Sequence, residues 1–74
     1  MGYYDDALTV CEKYLKGNAK GFLDRQIGSH LKKEPTDLDK TADSAELGKW
    51  CRVSAELVLG TAKATALEQD ILAA

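Results

Sequence analysis

The sequence predicts an all-α fold, a compact four-helix domain of two antiparallel helical hairpins, and three observations lead there. Four stretches place apolar residues at the i, i+3, i+4, i+7 spacing that stacks side chains on one helical face. Two short junctions, Gly17-Asn18 and Gly60-Thr61, each join a helix-stopping residue to a helix-capping one. A single longer break, Glu34 to Ala42, lies between them. The expected helices cover about residues 3–16, 19–33, 44–59 and 62–73 of one domain, 1–74.

The first helix rests on Tyr4, Ala7, Leu8, Cys11, Tyr14 and Leu15, with Asp5 and Asp6 at its start and Lys13 and Lys16 at its end, where the helix dipole favours each sign. Gly17 closes it and Asn18 caps the next, a connection short enough to force antiparallel neighbours. The second presents Ala19, Phe22, Leu23, Ile27, His30 and Leu31 on one side. Gly21 and Gly28 weaken it by up to about 1 kcal/mol each, and their seven-residue spacing predicts a face where another helix comes close. Pro35 disfavours helical geometry at Glu34 and ends the segment.

The third helix, within Asp43 to Gly60, is the most strongly specified. Leu47, Trp50, Cys51, Ser54, Leu57 and Val58 hold helical spacing, Asp43 with Glu46 forms an acidic version of a capping box, and Gly60 supplies the stop. It carries the only tryptophan, so the Trp50 face is expected at the centre of the domain. The fourth helix places Ala64, Leu67, Ile71 and Ala74 at helical spacing, with Lys63, Glu68, Gln69 and Asp70 outside.

Seventy-four residues bury only about 60–65% of the surface of the unfolded chain, so the core is marginal and help from a partner or a second copy is expected. With 45% apolar and 30% charged residues the composition is that of a globular domain. Twelve acidic and ten basic residues give a net charge of −2, too little field to hold a polyanion, which argues against nucleic acid as partner. No run approaches the roughly 18 apolar residues of a membrane span. The acidic start, Tyr3-Tyr4-Asp5-Asp6, does not resemble a signal peptide, so the expected compartment is the reducing cytoplasm. One tyrosine of that pair is expected to pack inward and the other to be free for a partner.

Cys11 and Cys51 stand 40 positions apart without a Cys-x-x-Cys or a neighbouring histidine, so no metal site and no redox motif is expected. Both read as small buried hydrophobes, with a disulfide between them as the alternative. His30, the only histidine, lies on an apolar face without a catalytic partner at defined spacing and reads as a bundle-edge residue with one ring nitrogen hydrogen-bonded. Ser29, Ser44 and Ser54 lack the strained elbow of a nucleophilic serine. Lys32, Lys33, Lys40, Lys49 and Arg52 are interleaved with acids and read as a solvated face. No catalytic residue, metal ligand or cofactor is expected.

Asp43-Ser44-Ala45-Glu46-Leu47 resembles the Asp-Ser-Leu motif of carrier proteins, which implies a phosphopantetheine arm on Ser44. Ala45 stands where that motif has leucine, and Ser44 is better read as an ordinary first-turn residue. Residues 14–25, Tyr14-Leu15-Lys16-Gly17-Asn18-Ala19-Lys20-Gly21-Phe22-Leu23-Asp24-Arg25, resemble small helical segments appended to bacterial signalling proteins such as serine/threonine kinases and cyclases. Lys16-Gly17-Asn18 stands where that pattern has Gly-Pro. The resemblance implies a regulatory or adaptor module and carries no catalytic residue. The expected function is a non-catalytic protein-interaction or regulatory module, self-association included. The alternative is a carrier-like or small-ligand-binding helical domain.

Overall fold

Asp39, four residues before the expected cap, starts the longest helix. In the computed structural model, which describes residues 2–74, its carboxylate accepts the N–H of Ala42 at 2.8 Å, and the Asp43 carboxylate accepts the N–H of Asp39 at 2.9 Å. This is the reciprocal capping logic expected of Asp43 and Glu46, moved by one turn. The element order is α1 (Tyr3–Leu15), α2 (Ala19–Gln26), α3 (Lys40–Leu59) and α4 (Thr61–Ala73). The fold is all-α, with three long helices and one short one.

The second segment departs most from expectation. Only eight residues form regular α-helix, after which Ile27–Leu31 widen into a π-helical turn. Lys32 then takes the left-handed conformation (φ 58°, ψ 44°), and the N–H groups of Lys32 and Lys33 both donate to the Ile27 carbonyl, a stop in which lysine stands where glycine is usual. At the first junction the positive φ likewise belongs to Lys16 (φ 53°), while Gly17 and Asn18 lie in a 3-10 turn and Asn18 makes no side-chain cap. Pro35–Asp37 form a second short 3-10 turn before α3.

Gly60 alone links α3 to α4, at φ 88°, where a side chain would be strained. The two helices fold back on each other, and the glycine that permits their close approach is Gly48. A Cβ there would lie 3.2 Å from Glu68 Cγ and 3.6 Å from Leu72 Cγ. Nothing crowds Gly21 or Gly28, so the close approach expected at those two glycines does not occur. The Arg52 guanidinium clasps Glu68 at 2.9 Å across the same seam.

Tyr3 donates its hydroxyl to the Ile71 carbonyl at 2.8 Å, and Tyr14 donates to Asp70 at 2.6 Å. Two residues at opposite ends of α1 thus reach adjacent residues of α4, so the end of α4 crosses α1 rather than running alongside it. Tyr4 donates to Asp24 of α2 at 2.6 Å. Ser54 donates to the buried Gln26 side chain at 3.0 Å and ties α3 to α2. Both tyrosines of the Tyr3-Tyr4 pair are therefore engaged within the chain.

The core consists of Ala7, Val10 and Cys11 of α1, Ala19, Leu23 and Ile27 of the second segment, Leu47, Cys51 and Ala55 of α3, and Ala64, Leu67 and Ile71 of α4, with Tyr3 at one end. Leu38 packs against its margin from the connecting loop. On α3 the buried row runs at intervals of four, Leu47, Cys51 and Ala55. Trp50 does not lie at the centre; it is half-buried, and Leu57 is 94% exposed. The small residues Gly48, Cys51 and Ala55 explain this rotation, because they let the neighbouring helices approach more closely than a row containing an indole would.

Candidate functional site

The rotation of α3 leaves a second apolar row outside the core, half-buried at Trp50 and exposed at Val53 and Leu57. Trp50, Val53 and Leu57 follow one another at intervals of three and four, so they share one face of α3, and Val58 stands beside Leu57. Leu57 is 94%, Val58 70% and Val53 39% exposed. A single exposed leucine is ordinary, whereas here Val53, Leu57 and Val58 stand exposed together along one helix.

Trp50 anchors one end of the row. Its ring stacks on His30 with centroids 4.1 Å apart and planes 6° from parallel. The Lys49 ammonium lies 5.0 Å from the ring centroid, within reach of its negative face, and the indole N–H donates to Glu46 at 3.1 Å. His30 comes from the π-helical turn and is exposed, so the expected role as a bundle-edge residue hydrogen-bonded through one nitrogen gives way to an exposed stack on Trp50. A rigid aromatic with one polar edge is a frequent anchor of protein interfaces.

The charges around the row divide into engaged and free. Arg52 is held by Glu68 at 2.9 Å and lies 3.7 Å from Glu56. Among the described residues, Lys49 has no carboxylate partner, and Glu56 has only that long contact with an arginine already committed elsewhere. The five basic residues expected on a solvated face do not act together. Lys33 is bound to Asp43 at 2.8 Å, Arg52 to Glu68, and Lys32, Lys40 and Lys49 are exposed.

The other sequence candidates lie elsewhere. Ser44 sits in the second turn of α3, half-buried and five residues beyond the Asp39 cap, not at the helix start where a carrier serine stands. Ser29 is exposed on the π-helical turn. Cys11 and Cys51 are both fully buried and unbridged, and their side chains meet in the core. Contact with Cys11, together with burial, drives the Cys51 thiol far above its usual range. Burial, with Cys51, Cys11 and Asp43 nearby, pushes the Tyr3 phenol up to about 12. Among the described residues, no group of three histidine, cysteine or acidic side chains converges as a metal site would require.

Two open depressions flank the second segment. One is lined by Gly28, Lys32, Lys33, Glu34 and Asp37, the other by Gly17, Asn18, Gly21, Phe22 and Arg25. Neither brings a nucleophile together with a base. Among the described residues, no helix is long and apolar enough to cross a membrane.

Compared with protein-family models, curated proteins and solved structures, the chain matches none.

Proposed function

We propose that this chain is a non-catalytic helical interaction module that binds a protein partner, a second copy included, through the Trp50–Val53–Leu57 face of α3. The observation that carries the reading is the exposure of Leu57 on a helix whose opposite side is fully packed. The core is complete without that face: among the described residues every buried side-chain nitrogen and oxygen has a partner. The face is therefore not a defect of folding. Keeping Leu57 and Val58 in water costs solubility and invites aggregation unless something covers them.

The module is read as two helical hairpins, α1 with the Ala19–Leu31 segment and α3 with α4, joined by the Lys32–Asp39 connection. The first hairpin braces α3 through the Ser54–Gln26 contact, the connection does so through Lys33 and Asp43, and the second hairpin presents the face. Two buried, unbridged thiols suit a reducing compartment such as the cytoplasm. A regulatory or adaptor role, as the resemblance over residues 14–25 implies, agrees with a module that binds without reacting. The carrier reading has less support, because Ser44 lies inside α3 and half-buried.

Site-specific photo-crosslinking in cells tests the proposal. A photoreactive residue at position 57 is expected to give a discrete protein adduct, and the same residue at Lys20, an exposed position outside α3, none. Absence of any adduct from position 57 overturns the interaction reading. Intact mass after coexpression with a phosphopantetheinyl transferase tests the carrier alternative, and a mass gain abolished by Ser44→Ala would establish it.

A further inference from the structure

We infer that the partner is a second copy of this chain, docked α3 against α3 in antiparallel register about a two-fold axis near Val53; this rests on the interaction reading above and names its partner. The apolar row is self-complementary. Turning α3 end for end about Val53 sets Trp50 of each copy against Leu57 of the other, an aromatic opposite an aliphatic, and the two Val53 side chains meet at the axis. A closed two-fold pair is also the commonest way for a small soluble chain to bury one exposed face.

The free charges fix the orientation. Lys49 and Glu56 are seven positions apart, two helical turns, so they lie on the same edge of the apolar row. In an antiparallel pair related by a two-fold axis, like edges lie side by side. Lys49 of one copy then stands beside Glu56 of the other, and the contact occurs twice. Neither has a close partner of opposite charge within the chain: Lys49 lies over the Trp50 ring, and Glu56 is 3.7 Å from an arginine held by Glu68. A parallel pair would instead set Lys49 against the opposite edge, where Ser54 and the His30–Trp50 stack offer no acid. Glu46, already bonded to the indole N–H, falls beside Gly60 of the other copy and meets no charge there.

A seam built on three or four side chains is small. The pair is therefore a reversible one, formed at high chain concentration. The marginal core of a 74-residue chain gives such association a direct benefit, since pairing stabilises the folded state by mass action.

Sedimentation equilibrium from about 5 µM to 1 mM tests this, with helicity followed by circular dichroism. The parent chain is expected to rise from one chain mass toward two, and Leu57→Asp to remain monomeric with unchanged helicity. Lys49→Glu alone sets acid against acid, and Glu56→Lys alone sets base against base. Each is expected to weaken pairing about tenfold, because two contacts change sign at once. The double variant Lys49→Glu/Glu56→Lys restores both contacts and is expected to regain parental pairing. An equimolar mixture of the two single variants is expected to pair as a mixed species, because every cross-contact is again acid with base. A monomeric parent at 1 mM overturns the inference, as do single reversals without effect or a mixture that fails to pair. If the parent is monomeric while position 57 crosslinks to a different protein in cells, only the second-copy assignment fails; if position 57 gives no adduct at all, the interaction reading fails with it.

Discussion

Asp43 carries more of the local structure than any other charged residue in the chain. Its carboxylate accepts both a bifurcated contact from the Lys33 ammonium, at 2.8 and 3.0 Å, and the N–H of Asp39 at 2.9 Å, and it is 7% exposed. Burial raises its pKa, but Lys33 and the Asp39 N–H outweigh burial and hold the group below the usual carboxylate value. A carboxyl whose pKa is lower folded than unfolded contributes stability above its unfolded pKa, about 3.9, and loses it as pH falls through the folded value. Asp43→Asn is expected to cost about 1–2 kcal/mol at pH 7 and much less at pH 2.5, read by urea denaturation at the two pH values. An equal loss at both would show that the charge contributes nothing. Asp70, held low by the Tyr14 hydroxyl, keeps part of the acid sensitivity in that variant. At this scale the sequence was only partly legible. It marked Asp43 as a cap, because acid before an apolar run is a local signal. It could not show Lys33 ten positions back, because that contact depends on where the intervening loop returns the chain.

Gly48 decides the spacing of α3 and α4. Glycine weakens a helix interior by roughly 1 kcal/mol relative to alanine, and here it admits Glu68 and Leu72 against the α3 backbone. Gly48→Leu is expected to destabilise by about 2–3 kcal/mol, measured by thermal or urea unfolding, because its branched side chain has to displace the Leu72 contact and the Arg52–Glu68 clasp. Gly21→Leu, at an exposed position with open space around it, is expected to be neutral or slightly stabilising. The reverse order would relocate the helix contact to the second segment. The elements themselves were legible where periodicity ran long: α1, most of α3 and α4 fall within a few residues of expectation. The Ile27–Leu31 π-helical turn was not, because periodicity counts apolar positions and is blind to one extra residue in a turn. The choice between Gly21/Gly28 and Gly48 was equally hidden, since a glycine announces that a helix can approach and not that one does.

The whole molecule is organised by α3, which carries two apolar rows where a surface helix usually carries one. Leu47, Cys51 and Ala55 go to the core; Val53 and Leu57 go to solvent, with Trp50 half-buried at the end of their row. Sequence reasoning merged the two rows into one stripe and assigned it to the interior, with the largest side chain at the centre. The signal that could have separated them is the breadth of the stripe. Apolar residues cover more of the α3 circumference than one core contact can hide, and Val53 lies outside the predicted stripe altogether. Close packing then selects the row of small residues for the interior, since Cys51 lies against Cys11 and α4 lies against Gly48.

The division of α3 into a structural row and a free row is tested most directly by denaturant unfolding of Leu47→Ala and Leu57→Asp at low micromolar concentration, where the proposed pairing does not contribute. Leu47→Ala is expected to cost about 2–5 kcal/mol, enough to unfold much of the population, while Leu57→Asp stays within about 0.5 kcal/mol of the parent. A loss of several kcal/mol on placing a charge at position 57 would put that residue inside the fold and remove the free face from which the function is argued.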